Sequence, residues 1–332
     1  MNVKISTIAL IVLSIAICLS LAGCAKSPVM DAPHIAQAAP DGLEEELIID
    51  IIPGLLPLAE SAGQSMPMPS APGTLVRKNG KAEIDASNTQ DGYIMVRYLV
   101  NTSKALRVIV KGPSGSSYTY VLGGEGDYEV FPLSDGNGDY QVGVYENVEG
   151  NKYSTAHSAT LNVQLKNEFT PFLRPNQYVN YKQDSETVKK AAELTKDSKT
   201  MMEKITVIYN FVVKNITYDK ELAATVQSGY LPNVDAVLKK GKGICFDYAS
   251  LMASMLRSQS IPTKLVIGYT GSVYHAWIST YSEETGWVEN VIFFDGTSWK
   301  LMDPTFASSG NQSKEVMQYI GNGSNYVTKY LY

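Results

Sequence analysis

Hydrophobic and polar residues alternate along much of the chain between about residues 76 and 166. In the segment Tyr93–Leu99, for example, Ile94, Val96 and Tyr98 fall on one face. A period of two is typical of a strand with one buried face. The same pattern predicts further strands over Leu106–Lys111, Tyr118–Leu122, Tyr128–Phe131, Tyr140–Tyr145 and Ala159–Leu165.

Glycine-rich turns separate these short strands, at Gly112–Gly115, Gly123–Gly124 and Asp135–Gly138. Short strands at regular spacing between such turns are typical of a β-sandwich. Tyr140, which follows the last of these turns, resembles the corner tyrosine of immunoglobulin-like domains. We therefore predict an all-β, immunoglobulin-like sandwich over residues 76–167.

The hydrophobic pattern changes to a helical period after about residue 170. Residues 185–197 have helical spacing, and Thr200 with Glu203 forms a capping box in front of a second helix. A third helical pattern begins after Gly243 and stops before Pro262. Three helices are therefore predicted in this part of the chain.

Strands are predicted again after these helices. The segments are Lys264–Tyr269, His275–Tyr281, Trp287–Phe294 and Ser298–Met302, with a hairpin turn at Asp295–Gly296 between the last two. Helices followed by an antiparallel sheet predict an α+β domain over residues 171–332.

The N-terminus carries one positive charge, Lys4, in front of an apolar run from Ile5 to Leu19. The run ends in the sequence Leu21–Cys24, which resembles a bacterial lipobox. The resemblance implies that residues 1–23 are a signal peptide and that Cys24 carries diacylglycerol on its sulfur. An uncleaved transmembrane anchor is the alternative. Both interpretations place the rest of the chain outside the cytoplasm, and the first predicts a lipid-anchored protein at the cell membrane.

Composition and charge narrow the class of protein. The 332 residues suit two domains. With 44% hydrophobic and 18% charged residues the chain is globular, which excludes general disorder and a coiled coil. Lys and Arg number 28 against 33 Asp and Glu, so the net charge is −5. Without a basic excess, no nucleic-acid partner is expected.

No metal cluster or cofactor motif is visible, so neither a metal nor a cofactor is expected. The acidic turn Asp135–Asp139 has the ligand type for weak Ca²⁺ binding, but it lacks EF-hand spacing, and a glycine-rich turn is favoured. His157 is expected on a strand surface rather than as a metal ligand, because no cysteine or second histidine lies near it.

The number and positions of the cysteines leave one free thiol in the predicted mature chain. Of the three cysteines, Cys18 leaves with the signal peptide and Cys24 is lipidated, so that only Cys245 remains. A lone thiol outside the cell is either a buried apolar filler or a nucleophile. Cys245 lies at the start of a predicted helix, where backbone N–H groups and the helix dipole favour a thiolate and can bind an oxyanion. Its position therefore favours the nucleophile.

A thiolate nucleophile needs a histidine as acid and base, and a third group that orients the histidine. Of the three histidines, only His275 shares the predicted domain of Cys245. Asp303 follows the strand Ser298–Met302. If the two strands pair edge to edge, His275 and Asp303 come within hydrogen-bond reach. Each residue alone is more often structural, but the three in this order predict a Cys-His-Asp triad.

Five short motifs occur in the second half of the chain: Gly243–Ala249, Leu256–Lys264, Gly268–Tyr269, Tyr274–Trp277 and Met302–Thr305. On these motifs, residues 171–307 resemble the transglutaminase-like family of the papain-like superfamily. The resemblance implies that Cys245 is the nucleophile, His275 the general acid and base, and Asp303 the orienting group.

The resemblance also places Tyr274 and Trp277, which flank His275, in the substrate cleft. Tyr218 matches a recurrent family position and is interpreted as packing. One departure is the long stretch between the histidine and aspartate positions, with an extra hairpin-like segment at about 282–294.

Family members join a glutamine amide to an amine or hydrolyse amide bonds, and both reactions begin with thiolate attack and an acyl-enzyme. The first hypothesis is a surface-anchored thiol acyltransferase that acts on protein or peptide carboxamides. A cysteine peptidase or amidase on cell-wall or surface peptides is the alternative enzyme. A non-catalytic surface binding module is the third hypothesis, and the retained triad argues against it.

A proline-rich tether is predicted between the lipidation site and the sandwich, over residues 24–75. The segment 43–58 interrupts it with an acidic head, Glu44–Glu46, and a run of isoleucine and leucine. A short helix docked on the protein, contact with a membrane surface, and a plug over the active site are the three interpretations. The acidic head argues against an anionic membrane surface.

Overall fold

A computed structural model describes residues 66–283, 286–288, 292–294, 299–301 and 326–332. The predicted signal peptide, Cys24 and most of the predicted tether lie outside these residues. Within them, no helix is long and apolar enough to cross a membrane. An all-β region comes first along the chain, and a region of helices and strands follows it.

The all-β region consists of β1 (Val76–Lys78), β2 (Ala82–Asp85), β3 (Tyr93–Tyr98), β4 (Leu106–Lys111), β5 (Ser117–Leu122), β6 (Glu129–Pro132), β7 (Gly138–Glu149) and β8 (Lys152–Val163). Two four-stranded antiparallel sheets form from them, in the orders β1-β2-β3-β6 and β5-β4-β7-β8. Buried residues of both sheets belong to one hydrophobic cluster.

Alternation predicted the buried faces of β3 and β4 correctly. In β4, for example, Leu106, Val108 and Val110 are buried while Lys111 is exposed. The pattern failed at β2, because all four of its residues are buried although two are acidic. Its Glu83 is satisfied inside the protein, where it accepts hydrogen bonds from other parts of the chain.

The strands β7 and β8 are each twelve residues long, which exceeds the predicted Tyr140–Tyr145 and Ala159–Leu165. Most residues of β8 are at least partly exposed and polar, so that hydrophobic alternation is weak along it. Backbone pairing with β7 nevertheless continues from Lys152 to Val163, because a ladder needs no apolar side chains. His157 lies on this strand and is half-buried.

Tyr140 is fully buried and closes the turn that precedes it. Its Oη donates to the carbonyl oxygen of Gly136 at 2.9 Å and accepts from the backbone N–H of Asp135 at 2.8 Å. The tyrosine thus ties its own strand to backbone upstream, which is the contact expected of a corner tyrosine.

The helices of the second region are α1 (Glu186–Thr195), α2 (Met201–Asn215), α3 (Lys220–Thr225), α4 (Val234–Lys240) and α5 (Cys245–Ser258). The predicted capping box is confirmed, since Thr200 accepts from the N–H of Glu203 at 3.1 Å and Glu203 accepts from the N–H of Thr200. Helices α3 and α4 were not predicted, because six and seven residues are too few to establish a period.

The remaining strands are β9 (Thr217–Tyr218), β10 (Lys242–Gly243), β11 (Thr263–Thr270), β12 (Val273–Ser282), β13 (Gly286–Val288), β14 (Ile292–Phe294), β15 (Trp299–Leu301) and β16 (Tyr326–Leu331). An antiparallel sheet has the order β13-β12-β11-β16, while β14 pairs with β15 and β9 with β10. The single strand predicted over Trp287–Phe294 is therefore two strands in different sheets.

Helix α5 lies at the centre of the second region and is buried along almost its whole length. It packs against α1, α2, β11 and β12. Its last turn holds Arg257, which is fully buried and donates to the carbonyl oxygens of Arg174, Thr263 and Tyr332 at 2.6–2.8 Å. Burial lowers the pKa of Arg257 to about 10.

Aromatic side chains join the two regions. The ring of Tyr120 on β5 lies 5.6 Å from that of Tyr178 and 5.8 Å from that of Tyr332. Tyr178 in turn lies 5.5 Å from Phe246 at the start of α5. The predicted boundary near residue 170 therefore separates two regions whose buried residues form one continuous cluster.

Because of the Glu146 carboxylate on β7, the free energy of unfolding should depend on pH in the acidic range. It accepts from Lys81 at 2.9 Å and pairs with Lys104 at 3.0 Å, and these lysines lower its pKa to about 2. Because the pKa of Glu146 is lower in the folded protein than the value of about 4.3 in the unfolded chain, its ionised form stabilises the fold at pH values above about 4.3. This stabilisation is lost as the pH falls towards 2. We expect Glu146→Gln to reduce the fall in urea midpoint between pH 6 and pH 2.5, whereas Glu149→Gln should leave it unchanged.

Candidate active site

The local chain path places Cys245 at the first residue of α5. Helix α4 ends at Gly241, whose left-handed φ of 61° turns the chain into β10. Parallel pairing of β10 with β9 then fixes the direction in which the chain enters α5. Gly243 is required here, since a Cβ would lie 2.5 Å from the side chain of Asp247.

Asp247, in the first turn of α5, supports this entry. Its carboxylate accepts from the N–H of Ile244 at 2.8 Å and from the hydroxyl of Tyr230 at 2.8 Å. Burial raises the pKa of Asp247, and the two hydrogen bonds oppose that rise. The side chain is fully buried, so that it holds the helix start and the segment carrying Tyr230 in place.

His275 lies near the start of β12, opposite Gly268 of β11. Its ring is 5% exposed and stacks on Trp277, with centroids 6.1 Å apart and planes at 23°. Gly268 has no room for a Cβ, which would lie 2.0 Å from the carbonyl oxygen of Val327 and 2.8 Å from the ring of Trp277. The glycine in this motif therefore permits the close packing beneath the histidine.

Cys245 and His275 line one cleft of about 420 Å³. Both are almost fully buried, at 4% and 5% exposure. The other described residues of the lining are Arg107, Ser117, Thr119, Tyr120, Val121, Tyr178, residues 226–231, Ile244, Phe246, Ile267, Tyr274, Ala276, Tyr330 and Tyr332. The all-β region thus contributes one wall of the cleft.

The third predicted member of the triad, Asp303, lies outside the described residues, as does Cys24, the predicted site of lipidation. The strand before Asp303 is β15, and it pairs with β14. Among the described residues β12 pairs with β11 and β13, and the contact between His275 and Asp303 stays a prediction.

The two aromatic residues placed in the cleft from sequence have different positions. Tyr274 lines the cleft. Trp277 is 1% exposed, is absent from the described lining, and packs between His275 and Tyr326. Trp277 lies two residues after His275, on the same face of β12, and its ring is buried against the imidazole. Tyr218 lies on β9 and packs against the hydrophobic cluster.

Several lining residues were not predicted from the sequence. Arg107 belongs to a strand of the all-β region, Tyr178 to the connection between the regions, and Tyr330 and Tyr332 to the last strand and its end. No local motif marks them, since they reach the cleft only through packing of distant segments. The abundance of tyrosine, with 21 in the chain, does not distinguish the tyrosines of the cleft from the others.

No group of three potential metal ligands occurs among the described residues. In the acidic turn, Asp135 accepts from Ser114, with its Oδ1 2.8 Å from the hydroxyl and its Oδ2 2.8 Å from the N–H. Asp139 accepts from Asn162 at 2.7 Å. These carboxylates are therefore engaged in hydrogen bonds that organise the turn.

Comparison with known proteins bears on the segment that holds Cys245 and His275. Two solved structures resemble the chain in part. A candidate cysteine protease from Cytophaga hutchinsonii has a TM-score of 0.36 at 15% identity, covering 70% of this chain and 73% of its own. Red sea bream transglutaminase has a TM-score of 0.28 at 11% identity, covering 64% of this chain and 48% of its own.

A sequence relative is the uncharacterized protein YebA of Bacillus subtilis, which is 32% identical over 118 residues. The match covers 30% of this chain and 16% of YebA, so the chain spans only a small part of that relative. Residues 188–290 match the family model of the transglutaminase-like superfamily, and this range includes both Cys245 and His275. The chain therefore contains a transglutaminase-like core domain, over residues 188–290.

Proposed function

We propose that the chain is a thiol acyltransferase of the transglutaminase-like type, which attacks protein or peptide carboxamides. The observation that carries this proposal is the shared cleft, in which Cys245 at the first residue of a buried helix lies with His275. First-turn N–H groups have no partner within a helix, and they stabilise a thiolate and an oxyanion alike.

The reaction proceeds in two steps. The Cys245 thiolate adds to the carboxamide carbon, a C–S bond forms, and the carbonyl oxygen becomes an oxyanion held by the N-terminus of α5. Protonated His275 then gives its proton to the leaving nitrogen, the C–N bond breaks, and ammonia departs from a thioester. Asp303 orients the imidazole in this scheme, a role that rests on the family resemblance.

The second step returns the thiolate. His275 removes a proton from an incoming amine, whose nitrogen attacks the thioester carbon, so that the C–S bond breaks and a new amide is released. Water in place of the amine gives the acid, and the same residues then act as an amidase. The choice of acceptor separates acyl transfer from hydrolysis.

The N-terminal parts of the chain suggest where the enzyme acts. We propose that the all-β region is an immunoglobulin-like domain, which the hydrogen bonds of Tyr140 and the two antiparallel sheets support. Diacylglycerol on Cys24 would then hold the domain and the enzyme on the extracytoplasmic face of a bacterial membrane. An unmodified Cys24 in the mass spectrum of the mature, membrane-bound protein would contradict the anchor.

A peptide digest tests the proposed activity without knowledge of the natural substrate. The full chain is incubated with a tryptic digest of whole-cell protein and methylamine, and the peptides are examined by mass spectrometry. Acyl transfer yields glutamine methylamides, hydrolysis yields glutamate, and peptidase activity yields new termini. We expect methylamides. A digest identical to one treated with Cys245→Ala would favour the binding module.

A further inference from the structure

Arg107 gives the cleft a permanent positive charge. It lies on β4 of the all-β region and lines the same cleft as Cys245. Among the described side chains of the lining it is the only one with a permanent charge, and the others are apolar, aromatic or neutral polar apart from His275. A substrate that enters this cleft therefore meets one fixed cation on its wall.

The guanidinium of Arg107 is not neutralised by the described part of the protein. Its Nη1 donates to the carbonyl oxygen of Leu106 at 3.1 Å, and it lies 5.7 Å from the ring centre of Tyr153. None of the ion pairs among the described residues involves it. Two other partly buried arginines of the fold do have carboxylates, since Arg97 pairs with Glu83 at 2.9 Å and Arg174 with Asp91 at 3.6 Å.

Packing links this charge to the nucleophile. Tyr178 lines the cleft and contacts Phe246, the residue that follows Cys245. Burial raises the pKa of Tyr178 to about 12, and the nearby charge of Arg107 opposes that rise. Arg107, Tyr178 and the start of α5 therefore belong to one continuous surface.

We propose that Arg107 binds a carboxylate of the substrate and so selects acidic peptides, an inference that rests on the proposed function of Cys245. A guanidinium presents paired N–H donors that match the two oxygens of a carboxylate. The neighbouring hydroxyl residues Ser117 and Thr119 also line the wall beside β4. The carboxylate belongs either to the C-terminus of a peptide or to an Asp or Glu side chain.

Affinity alkylation measures this preference at Cys245. Bromoacetyl-Gly-Gly, with a terminal carboxylate, is compared with its C-terminal amide. Bromoacetyl-Gly-Glu-amide, with a side-chain carboxylate, is compared with bromoacetyl-Gly-Gln-amide. The second-order rate of each is read from intact mass. We expect one acidic reagent to react about tenfold faster than its neutral partner, as a charge-assisted hydrogen bond implies, and the faster pair identifies the source of the carboxylate.

Variants assign the preference to one side chain. Arg107→Ala should remove the difference in rate within each pair of reagents, and a circular-dichroism spectrum unchanged from that of the wild type shows that the variant is folded. Arg107→Lys should retain part of the preference for the acidic reagent. Arg77, exposed on β1 with its guanidinium on the adjacent carbonyl oxygen of Val76, provides the matched control, and Arg77→Ala should retain all of it.

Two outcomes separate the failure of this inference from that of the proposed function. Equal rates within both pairs, or a preference that survives Arg107→Ala, would overturn the role of Arg107. A Cys245 that reacts no faster than in the unfolded chain would contradict the proposed function instead. In that case titration calorimetry of acetyl-Gly-Gly and acetyl-Gly-Glu-amide with Cys245→Ala decides on Arg107, because binding needs no thiol.

Discussion

Replacing Cys245 by alanine should abolish formation of a covalent acyl-enzyme. The chain has three cysteines, and the other two lie at positions 18 and 24, so that no second thiol can replace Cys245 in the region described. Residual turnover should fall by a factor on the order of 10⁴ or more, as in other enzymes that lose their nucleophile. The measurement is the appearance of methylamide and glutamate products, together with intact mass after incubation with peptide.

The interpretation requires that the variant remains folded. Cys245 is a small side chain that lines a cleft, and its truncation should cost only about 1 kcal/mol of unfolding free energy. Cys245→Ser keeps a polar atom at the position and should also be inactive, because a hydroxyl is far less acidic than a thiol. Unchanged product formation by either folded variant would mean that Cys245 is not the nucleophile.

Local sequence patterns predict a helix or strand correctly where one face of that element is apolar. Alternation identified β4, helical period with a capping box identified α2, and the helix of Cys245 was found from its apolar spacing. Local patterns failed where polar side chains are buried and satisfied. In β2, Glu83 and Asp85 are buried as acceptors of hydrogen bonds, which no count of apolar positions can anticipate.

Only part of the candidate site could be predicted from the sequence, because the rest of it depends on how distant segments pack together. Short sequence motifs identified Cys245 and His275, and in the structure both residues line one cleft. Part of the lining comes from a strand about 140 residues earlier. In β4 the pattern marks Arg107 simply as the polar position between two buried residues. Which polar face meets a second domain depends on tertiary packing, and the sequence pattern contains no information on it.

Removing the imidazole of His275 should change how alkylation of Cys245 depends on pH. In the wild type, the imidazolium and the N-terminus of α5 together stabilise the thiolate, so iodoacetamide should react well below pH 8.5, at which a free thiol is about half-ionised. In His275→Ala one of these two contributions is gone. The profile should move upward by about one pH unit or more, and the rate near pH 6 should fall at least about tenfold, since one pKa unit is a tenfold change in thiolate.

A second histidine separates this effect from a general loss of positive charge. His157 lies on β8 and is not part of the described cleft lining, so His157→Ala should leave the profile of alkylation unchanged. A stronger test uses Trp277→Phe, which keeps the imidazole but alters the ring stacked on it. This variant should shift the profile less than His275→Ala does. If His275→Ala leaves the profile of Cys245 unchanged, the two side chains do not form a pair, and the cleft loses its acid and base.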